Sequence, residues 1–181
     1  MSAASPNLLI GMSHTRVIRR AIEELPELSI RVIDLNASPE VYQREGRTFD
    51  LKKIDAPDPE HVFLSIEGNA HAIVGLIESP EPFAVVDSDG NLPADMVDRT
   101  LIVRSMMKDL LTGMLEAFLP QLAAFQDRFR NAQVHFLCSP PPVYSNDHLL
   151  EFPSVFADRI HQGISPPSLR RSIYDLSLIH I

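Results

Sequence analysis

The chain has 181 residues, 45% hydrophobic and 22% charged, which suits one globular domain with a sizeable core and excludes a disordered chain. Its formal net charge of −8, spread along the sequence, opposes a phosphate backbone, so no nucleic-acid partner is expected. No apolar run approaches the roughly 20 residues that span a bilayer, the start MSAASPNLLIG lacks the basic and apolar regions of a signal peptide, and Cys138 is the only cysteine, which excludes an intrachain disulfide and a cysteine-based zinc site; a cytoplasmic protein with no membrane partner is expected.

Asn7 to Gly11 is a continuous apolar run closed by glycine, the pattern of a central parallel strand. Val17, Ile18, Ala21, Ile22 and Leu25 then recur on one helical face, opposite Arg16, Arg19, Arg20, Glu23 and Glu24, until Pro26 stops the helix. Ser29 to Leu35 alternates and is β-branched, which predicts a second strand and completes a β-α-β unit. Asn36 to Glu60 is a long polar connection with a short helical piece expected around Pro39 to Arg44. His61 to Ile66 is a third strand, Ala72 to Ile77 is short and apolar, and Phe83 to Val86 suggests an extra strand among turns.

Asp95 to Phe129 is the longest periodic segment, with a broad apolar face and a kink or division expected at Pro120. Gln133 to Cys138 is a fourth strand that breaks at three prolines, and helices are expected over Asp147 to Gln162 and Pro167 to Leu176. Strands alternating with helices imply an α/β fold with a parallel sheet covered on both faces. In such folds ligands bind beyond the carboxyl ends of the strands, which selects Gly11 to Thr15, Glu67 to His71 and Ser139 to Tyr144.

At the first of these, Ser13 opens an amphipathic helix, where its hydroxyl would lie among free backbone N–H groups able to hold an oxyanion. A plain helix cap is the alternative, and for Ser13 alone the better one. At the second, Gly68 lets the chain turn closely and Asn69 offers a side-chain amide to the same oxyanion, although asparagine turns are common in their own right. His14 neighbours Ser13 but does not share its helical face, and His71 is placed either to touch substrate or to stabilise the turn. His61, His135, His148 and His180 have no spacing that suggests a metal site, and no cofactor is expected.

The blocks LLIGMSHT, FLSIEGNAHAIVGL and VHFLCSPPPV together resemble the SGNH/GDSL hydrolases, most closely a bacterial branch with G-x-SH and GN-x-H blocks. The resemblance runs from Asn7 to about Asp175. It implies a flavodoxin-like three-layer α/β/α sandwich over residues 1–181, a small-molecule ester as substrate, Ser13 as nucleophile and Asn69 as oxyanion donor, with Gly68, His71 and His14 lining the substrate site. Met12 stands where the family usually has aspartate, and Glu67 where many members have glycine. Gly46 is the nearest counterpart of the family's second-block glycine.

A serine nucleophile needs a base oriented by a third group. The one Asp-x-x-His string, Asp158 to His161, falls in a stretch that reads as an amphipathic helix, where a surface pair is favoured over a catalytic dyad. Residues 176–181, LSLIHI, match a translated sequencing adapter, so the last strand and helix and the true Asp and His are expected to be missing and the chain inactive as it stands. The nucleotides of the last six codons test this: the adapter sequence is expected, and any other contradicts it. Loss of those elements would leave a sheet edge open to self-association. Two other functions compete. A metallophosphoesterase, suggested by GNAH, lacks the D-x-H and His-x-His ligands of that class. A non-catalytic α/β module, in which Ser13 and Asn69 hold a small anion or sugar-like ligand, has no such objection.

Overall fold

A computed structural model describes residues 7–12, 14–56, 58–66, 69–86, 89–116, 118–153 and 156–178. In chain order the elements are β1 (Asn7–Gly11), α1 (Thr15–Glu23), β2 (Ile30–Asp34), β3 (Tyr42–Gln43), β4 (Thr48–Phe49), β5 (His61–Ser65), α2 (Ala70–Gly75), β6 (Phe83–Val85), β7 (Thr100–Ile102), α3 (Arg104–Glu116), α4 (Leu119–Arg128), β8 (Gln133–Phe136), α5 (Asn146–Glu151) and α6 (Pro167–Leu178). The chain is α/β, and it divides into two compact units, residues 1–67 with 118–138 and residues 68–117 with 139–181.

The first unit is built on a four-stranded parallel sheet in the order β2-β1-β5-β8. Its register aligns Leu8 with Val62 and Ile10 with Leu64, and carries the same face on to Val134 and Phe136 of β8. On this face Leu8, Ile10, Val62 and Leu64 share a core with Phe125 of α4 and Phe129 just beyond it. Full burial of an aromatic such as Phe125, which has no exposed surface, contributes roughly 1.5–3 kcal/mol. The opposite face presents Leu9, Phe63 and His135 in one row.

The β-α-β unit and the strands at 61 and 133 form where the apolar patterns place them. The apolar stripe expected of α1 is only part-covered: Ile18 and Ile22 are half-buried, while Val17 is 71% exposed. The helical piece expected at 39–44 is instead an antiparallel hairpin, β3 with β4, pairing Tyr42 with Phe49. Those rings stack at 4.9 Å, and Phe49 meets Phe125 edge-on at 5.3 Å. Aromatic cross-strand packing thus outweighs local helical tendency there.

The second unit packs α2, α3 and α6 around a two-stranded parallel sheet of β6 and β7. Its core is Ala84, Val85, Met96, Met107, Leu111, Leu169, Ile173 and Leu176. Gly75 permits the close meeting of α2 and α6, since a Cβ there would lie 2.6 Å from Cδ1 of Ile173. Arg99 grips Glu78 with both terminal nitrogens, at 2.9 and 2.6 Å, and hydrogen bonding to that carboxylate raises the guanidinium pKa against the opposing effect of burial.

Two expectations for the later chain are corrected. The segment from Asp95 to Phe129 is divided just ahead of Pro120, as expected, with Pro120 in the first turn of α4, where its missing N–H costs no helical hydrogen bond, but its start is not helical: β7 precedes α3. Nor is 147–162 a helix throughout. Ser145 caps α5 by accepting from the His148 N–H at 3.2 Å, α5 ends at Glu151 ahead of Pro153, and a 3-10 turn, Ile160–Gln162, precedes Gly163 at φ 99°.

Candidate functional site

β1 and β5 are the central strands of the parallel sheet, and their carboxyl ends, Gly11 and Ser65, are register partners. The chain is tied down at once beyond them. The Met12 N–H donates to the Ser65 carbonyl at 3.1 Å, and the Thr15 N–H donates to the Met12 carbonyl at 3.1 Å. Only glycine fits at position 11, because a Cβ would collide with Oγ1 of Thr15 and lie 2.8 Å from both Cβ and the carbonyl oxygen of Ser65.

Ser13, between these fixed points, lies outside the described residues, as do Glu67 and Gly68. His14 occupies the cap position of α1, and its side chain makes no cap hydrogen bond. The cap therefore falls one residue beyond the serine. Thr15 is fully buried and its hydroxyl has no hydrogen-bond partner among the described residues. At the start of α1 the N–H groups of Thr15, Val17 and Ile18 already donate to the carbonyls of Met12 and His14.

Asn69 stands at the cap of α2 in the second unit. Ser139 donates its hydroxyl to Oδ1 of Asn69 at 3.1 Å, and Tyr174 donates its hydroxyl to the Ser139 carbonyl at 3.1 Å. With Oδ1 occupied, the carboxamide is oriented, and among the described residues no acceptor meets its Nδ2. His71 is 5% exposed on α2, with its ring edge-to-face on Tyr174 at 5.0 Å. It is therefore packed between α2 and α6.

The loop 139–145 that carries Ser139 is held by Arg170, which is 1% exposed on α6. Arg170 donates to the carbonyls of Val143 and Tyr144 at 2.6 and 3.0 Å and to Oδ1 of Asn146 at 2.8 Å. Burial lowers the pKa of this guanidinium. The sequence pattern selects the segment from Ser139 to Tyr144 but marks neither the hydrogen bond of Ser139 to Asn69 nor the hold of Arg170 on the loop. A buried arginine and a serine before three prolines carry no spacing signal by themselves.

Asp158 lies in a turn and His161 in the 3-10 turn, and both are exposed. Among the described residues no three His, Cys, Asp or Glu side chains converge as metal ligands. Two histidines do meet: Nδ1 of His61 faces Nε2 of His135 at 3.2 Å. Nothing in their sequence separation announces it, because it depends on the register of β5 against β8.

A cleft of about 260 Å³ runs along β2, lined among others by Arg19, Arg31, Asp34, Glu40, Lys53 and Asp55. Its three cations and three carboxylates cancel, so it exerts no net pull on an ion. No helix among the described residues is long and apolar enough to cross a membrane. Comparison with protein-family models, with curated proteins and with solved structures gives no match.

Proposed function

We propose that the chain belongs to a serine ester hydrolase of SGNH type, a three-layer α/β/α protein acting in the cytoplasm on a small-molecule ester, with Ser13 as nucleophile and Asn69 as oxyanion donor. The observation that carries this reading is the sheet order β2-β1-β5-β8. From β1 the chain moves outward to β2, and from β5 it moves outward to β8, so the order reverses between β1 and β5. Ligand chemistry in open parallel sheets gathers at such a reversal, beyond the carboxyl ends. Ser13 follows β1 by two residues and Gly68-Asn69 follows β5, which are the two strands that flank it.

In the reaction, Oγ of Ser13 attacks the acyl carbon while its proton passes to a base, and the carbonyl π electrons move to oxygen. The family resemblance assigns the donors that the oxyanion needs to the backbone N–H of Ser13 and the side-chain amide of Asn69. Collapse expels the alcohol, which takes the proton, and water then releases the acid from the acyl-serine. The exposed positions of Asp158 and His161 support their reading as a surface pair and leave the base unassigned.

The test is hydrolysis of 4-nitrophenyl acetate by the product of the full native reading frame. Ser13→Ala is expected to abolish turnover, and Asn69→Ala to lower kcat by about 10²–10³-fold, as loss of one oxyanion donor does. Unchanged turnover in Ser13→Ala would sink the proposal, and no turnover in the parent protein would leave the anion- or sugar-binding module in its place.

A further inference from the structure

We propose that His61 and His135 form a two-histidine site for a divalent transition-metal ion of the zinc, nickel and copper class, clipping β8 to β5. His61 begins β5 and His135 lies on β8, which closes one side of the sheet and pairs through Phe63 opposite His135. The two residues are diagonal neighbours on one face, and the register brings Nδ1 of His61 to 3.2 Å from Nε2 of His135. Two nitrogens bound about 2.0–2.1 Å from one tetrahedral ion stand about 3.3 Å apart. The observed separation is thus that of adjacent ligands on a single ion.

Phe63 fixes the arrangement. Its ring stacks on His135 at 5.0 Å with 18° between planes and on His61 at 6.2 Å with 24°. The imidazoles stand 5.4 Å apart between centroids at 31° to each other. Both histidines are half-buried, so one side of the pair is held by the aromatic ring and the other remains open to water. Neutral imidazole nitrogen selects zinc, nickel and copper over magnesium or calcium, which prefer oxygen. With no third side-chain ligand among the described residues, water completes the shell, and affinity should rise towards copper in the usual order for such ions.

The site lies at the amino end of β5, four residues and so about 13 Å along the strand from Ser65 at the carboxyl end. It is independent of the ester chemistry proposed for Ser13. Its physical effect would be on the edge strand: an ion that binds only the paired strands stabilises the folded chain by mass action.

The experiment uses the untagged chain with Cys138→Ser, because the exposed thiol is a competing zinc ligand. Zinc is titrated by calorimetry and by ¹⁵N-resolved imidazole NMR. One ion per chain is expected, with metal-type shifts at Nδ1 of His61 and Nε2 of His135, and a raised melting temperature. His61→Ala and His135→Asn should each lose the ion, whereas His148→Ala and His161→Ala should keep it. Zinc retained by the double variant His61→Ala/His135→Asn would overturn the proposal. So would ring nitrogens of the parent chain that share a proton and do not respond to zinc, a result that needs no variant to fold.

Discussion

Replacing Gly11 by alanine is expected to destabilise the fold by about 3 kcal/mol, at the upper end of the usual cost of overpacking. The new methyl would meet Oγ1 of Thr15 and approach Cβ and the carbonyl oxygen of Ser65 to 2.8 Å. Neither side can give way cheaply. Thr15 is fully buried at the start of α1, and the Ser65 carbonyl already accepts the Met12 N–H at 3.1 Å. Moving either would open the β1–α1 connection that carries Ser13. For a chain of this size the loss corresponds to a fall in Tm of about 10 °C. The double variant Gly11→Ala/Thr15→Ala should recover part of it, because one of the colliding atoms is gone and neighbouring substitutions do not add. A shift within the range of ordinary surface substitutions would show that the turn is not packed as described.

Arg170→Met is expected to cost about 3 kcal/mol in urea unfolding, with the effect centred on residues 139–146. The substitution removes three hydrogen bonds from a charged donor, to the carbonyls of Val143 and Tyr144 and to Oδ1 of Asn146, of a kind worth about 1.5–3 kcal/mol each, and the acceptors, on exposed residues, turn to water instead. Removing a buried cation that has no carboxylate among its hydrogen-bond partners offsets part of this, since its desolvation cost is relieved. Arg170→Lys should recover little, because one ammonium cannot span acceptors that a planar fork reaches. Hydrogen exchange should rise at His148 and Leu149, whose N–H groups donate to Ser145 at the end of that loop, in both variants. An unchanged unfolding midpoint together with unchanged exchange there would contradict the role given to Arg170.

The parts of this molecule legible in the sequence are those where one residue pattern decides the outcome. Leu8 to Ile10 and Val62 to Leu64 are apolar runs without helical period, and they form the central strands; Pro26 stops the first helix at the expected place. Partner-dependent features were not legible. Tyr42 and Phe49 form a hairpin because their rings stack on each other and on Phe125. Leu101 and Ile102 continue the apolar period of the following helix, yet pair with Ala84 and Val85 as a strand.

The candidate site divides in the same way. Strand ends and a glycine before a serine are local signals, so Gly11, Ser13 and Asn69 could be singled out from spacing. The grip of Ser139 on Asn69 joins residues 70 apart, and that of His61 on His135 joins residues 74 apart. Such contacts follow from register and loop path, which no local pattern encodes. Arg170 was hidden for a related reason: an Arg-Arg pair on a helix looks solvated, although Arg170 is buried and Arg171 is exposed.

The claim that matters most is that Ser13 is a nucleophile. Its most direct test is to treat the product of the full native reading frame with a fluorophosphonate and to locate the adduct by tandem mass spectrometry. The account predicts a single phosphonylated residue, Ser13, absent from Ser13→Ala and formed more slowly in Asn69→Ala. A folded protein that takes no label, or takes it on another serine, would contradict it.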